Sequence, residues 1–305
     1  RLRSKRAVFI ADSDLISEIW TDRPPIPSSP AFDHPVEFSG KERSVKITEV
    51  REQMKSLKMD YHLLTSVDDI MWLLNISWFD RTYRPLLLSF AIIEEKQILL
   101  FTGENRMPSK LAKEFDRLGI VVLPYEEVAG ILSSLPEGSN LLISPGTTSA
   151  SLYFSIPQSI NIFEDISIPS RMKAIKNRTE IENIGKIMIQ DGVALAKFFF
   201  WIESSFGQIP MTEVSLSGRL LKLRAQNEDC MEPSFAPIIA FNKNSSLPHY
   251  SVKPETDSVI EDNGILLVDS GGQYYGGTTD ITRTISIGEP SVQKKSDFTL
   301  VLKGH

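Results

Sequence analysis

Residues 264–287 constrain the fold more than any other stretch of the 305-residue chain. Gly264-Ile-Leu-Leu-Val268 is an apolar run that ends on Asp269 and reads as a buried strand. Ser270-Gly-Gly-Gln-Tyr-Tyr-Gly-Gly277 follows, and Gly271, Gly272, Gly276 and Gly277 permit sharp turns there. Asp280, Thr282 and Thr284 then alternate with Ile281, Arg283 and Ile285, the period-two pattern of a pleated strand. Two strands joined in this way can aim Asp269 and Asp280 at one point. Two carboxylates at one point are costly unless a cation or a proton lies between them. A pair of divalent ions roughly 3.5–4 Å apart is one such occupant. Turn chemistry is the competing reading, because Asp suits turns for its own hydrogen-bonding reasons. Thr278, Thr279, Thr282 and Thr284 put hydroxyls beside Asp280, where donors supporting a metal ligand would stand.

The rest of the chain alternates helical and extended patterns. Residues 1–20 read as a short strand and a helix ending near Trp20, followed by the proline-rich linker Asp22-Arg-Pro-Pro-Ile-Pro-Ser-Ser-Pro30. Ile47, Val50, Met54 and Leu57 recur at helical spacing, and Tyr61–Leu64 is a strand. Ser66 with Asp69 resembles a helix-start box. Leu86–Ile93 and Gln97–Thr102 read as a hairpin. Helices over Leu111–Leu118 and Glu126–Leu132 alternate with strands over Ile120–Leu123 and Asn140–Ser144, giving one mixed α/β domain. Composition shifts again near Ile168-Pro-Ser-Arg171. Thr179 and Glu182 predict a capping box opening a long helix. A further helix over Thr212–Ala225 and strands over Phe235–Phe241, Ile265–Asp269 and Thr279–Ile287 follow.

Composition excludes some functions. A net charge of −6 argues against nucleic-acid binding, which needs a basic face. The single cysteine, Cys230, excludes an internal disulfide framework and suits a reducing compartment. The apolar stretch Ile184–Ile202 is interrupted by Lys186, Asp191 and Lys197, so it reads as a core helix rather than a membrane span. Phe198-Phe-Phe-Trp201 reads as core or interface packing. Ala7-Val-Phe-Ile-Ala11 is too short for a secretory core segment. The chain has no initiator Met, and both ends read as cut.

Several segments, in order along the chain, resemble the Xaa-Pro aminopeptidase (aminopeptidase P) family of pita-bread metallopeptidases. They are Ile16-Ser-Glu-Ile-Trp20 with Asp22-Arg-Pro24, Trp72-Leu-Leu-Asn75, Lys173-Ala-Ile-Lys-Asn177, Asp191-Gly-Val-Ala-Leu195, Pro248-His-Tyr-Ser-Val-Lys-Pro-Glu-Thr256, the Asp269–Thr284 stretch and Val301-Leu-Lys-Gly-His305. The resemblance implies a fold of α/β (α+β) class, a creatinase-like N-terminal α/β domain followed by an incomplete pita-bread catalytic domain. Residues 1–30 would be the tail of a first creatinase-like domain with its linker. Residues 31–170 would be the second such domain, and 171–305 the N-terminal half of the catalytic domain.

The same resemblance implies the chemistry. Asp269 would bind one metal in a bidentate way and Asp280 would bridge two. Manganese is the expected ion, with zinc or cobalt as alternatives suited to such donors. The ions would acidify a water for attack on the carbonyl before proline. Read alone, His249 is a loop or partly buried imidazole; the resemblance makes it a catalytic and substrate-binding residue rather than a ligand. Tyr250 and Pro254 read as structural, as does His305, and His34 and His62 carry no functional weight. Arg283 reads as one partner of a salt bridge within the hairpin. The family's remaining ligands, one His and two Glu, lie beyond the hairpin, and its His-Gly-x-Gly-His segment is absent. The chain alone is therefore expected to be inactive. Ser77-Trp78 stands where relatives carry Arg-Gly, and Asn242 and Ser245 stand where glycines are expected before His249. Implied partners are peptides beginning X-Pro and a second copy in a homodimer, in the cytoplasm, with no nucleic acid and no membrane. The alternatives are a non-catalytic peptidase-like module that binds peptide or protein, or a prolidase or creatinase relative. Retention of both aspartates favours the enzyme.

Overall fold

The computed structural model describes residues 15–24, 29–78, 83, 86–103 and 106–305. The strand expected before Leu15 lies outside the described residues, as does part of the proline-rich linker.

After α1 (Leu15–Ile19), β1 (Phe32–Asp33) and α2 (Val36–Ser39), the chain enters α3 (Arg43–Ser56). Ile47, Val50 and Met54 are buried along one side of α3, while Leu57 is its exposed C-cap. Then come β2 (Tyr61–Leu64), α4 (Val67–Leu74), β3 (Ile76–Ser77), β4 (Phe90–Ile93), β5 (Ile98–Thr102) and α5 (Ser109–Arg117). β6 (Ile120–Pro124), α6 (Val128–Ser133), β7 (Asn140–Ile143), α7 (Ala150–Ser155), β8 (Asn161–Glu164) and α8 (Ile168–Ala174) complete the first unit. Its six-stranded sheet has the order β6-β5-β4-β2-β7-β8. β4 and β5 form the expected antiparallel hairpin, and β5–β6, β2–β7 and β7–β8 run parallel. Alternate residues feed two cores. Leu64, Ile93 and Leu100 pack on one face of the sheet, and Leu63, Ile92 and Phe101 on the other. Burial on both faces explains why these strands read as continuous apolar runs.

Two expected capping boxes are corrected, although α4 does start after Ser66. Ser66 is the N-cap of α4 but makes no capping bond, and the side chain of Asp69 does not turn back to it. Asp69 is buried and accepts from the Ser167 hydroxyl and, at 2.7 Å, from the Ser170 hydroxyl. Tertiary donors have taken the group that the local pattern offered. The long helix α9 (Arg178–Ser205) opens not on Thr179 and Glu182 but on a capping box of Asn177 and Glu180. Asn177 is also drawn there from outside the helix, since its Nδ2 donates to the Ser39 carbonyl at 2.8 Å.

The second unit continues with α10 (Glu213–Arg224), β9 (Cys230–Pro233), β10 (Ile238–Phe241), β11 (Gly264–Ser270), β12 (Gly272–Tyr274), β13 (Gly277–Thr278), β14 (Ile281–Ile287) and α11 (Val292–Gly304). β10, β11 and β14 form one antiparallel sheet, and β13, β12 and β9 a smaller one. The register pairs Asp269 with Thr282 and Val268 with Arg283. Leu266 and Val268 turn inward onto Phe198 of α9 and Leu216 and Leu220 of α10. Ile265, Leu267 and Asp269, on the alternate face, stay half-exposed. The two units meet where Asn183 donates to the Glu37 carbonyl at 3.0 Å and Phe38 stacks on Tyr275 at 5.3 Å. Among the described residues no helix is long and apolar enough to cross a membrane.

Candidate metal centre and its surroundings

Asp269 lies near the end of β11 and Asp280 immediately before β14. Asp269 is directly opposite Thr282, so Asp280, two residues earlier, projects from the same face. The carboxyls face one another closely enough for one to hydrogen-bond the other when a proton is shared. Burial, and then the charge of Asp269, push the Asp280 carboxyl above its ordinary range. Oδ1 of Asp269 is buried with no hydrogen-bond partner. A buried acceptor left open opposite a second carboxylate suits a cation of hard-oxygen preference. Among the described residues no group of three or more His, Cys, Asp or Glu could hold a metal. The described residues thus offer a pair of donors, fewer than a dinuclear site needs.

The connection between the two aspartates is tightly drawn. A Cβ on Gly271 would lie 1.9 Å from the Thr279 carbonyl oxygen, so only glycine permits this approach. The expected threonine support is partly corrected. Thr279 Oγ1 donates to Asp191 at 3.0 Å and Thr278 Oγ1 to Gln273 at 2.8 Å, not to Asp280. Arg283 is also corrected: it forms no ion pair within the hairpin, and its Nη1 donates to the Thr282 carbonyl at 2.7 Å. Parity keeps it away from both carboxylates, so no anion is in reach within the hairpin.

Behind the centre lies a buried ion pair. Arg224 Nε donates to Asp191 Oδ1 at 2.6 Å and its Nη2 to Oδ2 at 3.1 Å. Tyr274 Oη donates to Asp191 Oδ1 at 2.8 Å. Burial and this carboxylate push the Tyr274 phenol well up, which keeps it a donor. Both Asp191 oxygens are satisfied, while Arg224 Nη1 is buried without a partner, and such a pair offsets its desolvation only as far as its donors and acceptors are met.

His249 is exposed in the turn after a short 3-10 segment, Asn242–Ser246. It forms no hydrogen bond or ion pair with either aspartate. The loop carrying it is nevertheless fixed. Glu213, at the start of α10, is fully buried and accepts from Phe241 N at 2.6 Å, Tyr250 Oη at 2.7 Å and Ser258 N at 3.2 Å. Asn244 Nδ2 joins this cluster, 3.0 Å from both Glu213 Oε2 and Tyr250 Oη. Tyr250 is thus the structural anchor expected, and Asn242 caps β11 by accepting from Ile265 N at 3.0 Å.

Two openings flank the centre. A cleft of about 1200 Å³ runs along the aspartate-bearing face, lined by Thr282, Thr284, Ile265, by Phe298 and Val301 of α11, and by His305 just after it. A smaller cavity of about 530 Å³ lies between the units, lined by Trp72, Lys46, Tyr275 and Ser77. Trp78 beside it is fully buried, with the Arg106 guanidinium 5.0 Å from its ring centre.

Asp191, Arg224 and Glu213 were not among the residues expected to matter. The first two carried a signal. Asp191 stands in the buried stripe Ile187, Asp191, Ala194, Leu195, Phe198, where a charge must have a partner. Arg224 stands beside Leu216, Leu220 and Leu223 on the buried side of α10.

A family model described as Creatinase/Prolidase N-terminal domain matches residues 22–180, and one described as Metallopeptidase family M24 matches residues 182–305. A probable Xaa-Pro aminopeptidase P of Sordaria macrospora is 32% identical, over 96% of this chain and 50% of its own length. Xaa-Pro aminopeptidase 1 of Dictyostelium discoideum is 35% identical, over 96% of this chain and 47% of its own length. The X-prolyl aminopeptidase from Caenorhabditis elegans, described as a cytosolic enzyme with a di-nuclear active site, superposes with a TM-score of 0.87 at 30% identity, covering 92% of this chain and 47% of that one. The Xaa-Pro dipeptidase from Bacillus anthracis, with a TM-score of 0.62 at 22% identity over 86% of this chain and 70% of its own, shares the fold. The chain spans about half the length of the curated relatives it matches. With its first α/β unit matched over residues 22–180 and metallopeptidase sequence running on from 182, the chain belongs to the creatinase/prolidase family.

Proposed function

We propose that the protein is a metal-dependent aminopeptidase that releases the N-terminal residue from peptides with proline in second position. One observation carries the reading: Asp269 and Asp280 face one another on an open sheet face, with a buried Asp269 oxygen left unpartnered. Relatives named Xaa-Pro aminopeptidase, matched along almost the whole chain, support the substrate class.

In this reading Asp269 and Asp280 hold two divalent ions, manganese first, with zinc or cobalt also suited to carboxylate oxygen. Bound there, the ions supply an activated water and a Lewis acid for the carbonyl preceding proline. The remaining ligands come from outside the described residues. His249 holds the substrate beside the scissile bond, on a loop that Glu213 and Tyr250 keep in place. The broad cleft on the aspartate face receives the peptide. The organisation we propose is a domain tail over residues 1–30, a creatinase-like domain over 31–170 and a pita-bread half over 171–305, and the packing of Ile168 and Met172 into the first core favours carrying the second division on to the end of α8. A cytoplasmic homodimer completes the reading, the location supported by the cytosolic nematode relative.

The test is peptide cleavage. The manganese-loaded full-length protein should release the first residue from an X-Pro-Pro peptide and leave an X-Ala-Pro peptide intact, and a chelator should abolish turnover. Failure to cleave any X-Pro peptide overturns the reading in favour of a non-catalytic peptide-binding protein.

A further inference from the structure

The residues flanking the two aspartates are tied to one buried group. Ser270 follows Asp269, and Thr279 precedes Asp280. Side chains alternate along extended backbone. Ser270 and Thr279 therefore turn inward where the carboxylates turn outward, and both are buried. There they meet the Asp191–Arg224 pair carried by α9 and α10. Arg224 Nη2 donates to Ser270 Oγ at 3.1 Å, and Thr279 Oγ1 donates to Asp191 Oδ2 at 3.0 Å. Thr279 Oγ1 in turn accepts from Gly272 N at 2.9 Å. Tyr274, between the two strands, donates to Asp191 Oδ1 at 2.8 Å.

We propose that Asp191 and Arg224 are positioning residues for the Asp269–Asp280 centre, fixing the separation of its carboxylates through Ser270 and Thr279. The proposal rests on the metal-centre reading. Each Asp191 oxygen accepts two hydrogen bonds, one from Arg224 and one from the Asp269–Asp280 connection. The planar guanidinium gives the carboxylate a fixed orientation that a lysine would not. A rotation of either strand that moved its aspartate would break a bond to this pair. Space-filling alone would be served as well by an apolar pair of the same volume. The arrangement instead ties both carboxylate-bearing strands to one rigid fork. Metal ligands need such outer support, and its loss typically costs about ten- to hundred-fold in metal affinity.

Thr279→Val and Ser270→Ala each remove one tether while leaving the ion pair intact. Calorimetric titration of the full-length protein with Mn²⁺ reads the affinity, and thermal unfolding of the metal-free protein reads the stability. Each variant should lose about ten- to hundred-fold in Mn²⁺ affinity, with a metal-free melting temperature within about 4 °C of wild type. Thr279→Ser, which restores the hydroxyl, should restore the affinity. Leu220→Val, in the same core, should lower the melting temperature and leave Mn²⁺ affinity unchanged. Wild-type affinity in both Thr279→Val and Ser270→Ala, with Asp280→Asn abolishing binding, would overturn the positioning role and leave the metal centre standing. A wild type with no Asp280-dependent Mn²⁺ binding would overturn both.

Discussion

Asp269 and Asp280 face one another from adjacent strands, and the charge of Asp269 helps push the Asp280 carboxyl above its ordinary range. Nothing among the described residues neutralises the pair. The buried Asp269 oxygen without a donor marks where a cation would sit.

His249 is the first residue to test for chemistry. It is exposed, beside a firmly anchored Tyr250, and hydrogen-bonds to nothing in the centre. His249→Ala in the full-length enzyme should lower kcat by about ten- to ten-thousand-fold, the range for losing one acid–base or oxyanion partner, and leave metal content intact. Steady-state kinetics on an X-Pro-Pro peptide check this. Unchanged kcat and KM return His249 to a structural part.

Glu213 should control the order of that loop. It accepts from three separate segments, at Phe241, Tyr250 and Ser258. Glu213→Gln puts a donor where donors already converge, so stability should fall by about 1–3 kcal/mol. Hydrogen exchange at the Phe241 and Ser258 amides should speed up. Unaltered exchange at both would show that the loop is held by other contacts.

His62 predicts a pH dependence of stability. It is fully buried, and its Nε2 accepts from Ile168 N at 3.2 Å while Nδ1 lies 3.1 Å from the Leu142 carbonyl. The neutral ring satisfies both bonds; a second proton would break the first. Burial pushes its pKa down from 6.5 to about 4. The unfolded chain therefore takes up the proton first as pH falls. This contribution is fully present above pH 6.5 and is lost progressively between 6.5 and about 4, to a total of about 3 kcal/mol. His62→Gln, which can keep both bonds without titrating, should flatten the stability profile in that window. Denaturant unfolding at several pH values reads it, and parallel profiles for the two proteins contradict it.

The 305-residue chain itself should bind Mn²⁺ weakly, because its described residues bring two carboxylates together and no third ligand. Calorimetry should find no submicromolar site, a threshold near roughly −8 kcal/mol. Tight stoichiometric binding would show that further donors join the pair.

Much of this was legible in the sequence for definite reasons. β11 and β14 were legible because Gly264–Val268 is a continuous apolar run and residues 280–285 alternate with the period of a strand. The helix α3 was legible because Ile47, Val50 and Met54 repeat at helical spacing. β8, β12 and β13 were missed because they are short, and two of them are rich in glycine or polar residues. Asp69 left the capping role its local pattern gave it and Asn177 took the one assigned to Thr179, since their partners arrive from distant segments. The partners of Asp191 were hidden for the same reason: Arg224, Ser270, Tyr274 and Thr279 converge on it only once α9, α10 and the hairpin are folded together.

Asp280→Asn tests the central claim most directly. It keeps the shape of the side chain and removes the charge that opposes Asp269. Metal content by elemental analysis and cleavage of an X-Pro-Pro peptide should be measured on the same preparation of the full-length protein. The account predicts that bound metal and turnover are lost together while the fold is retained. A variant with full metal content and full turnover would contradict it.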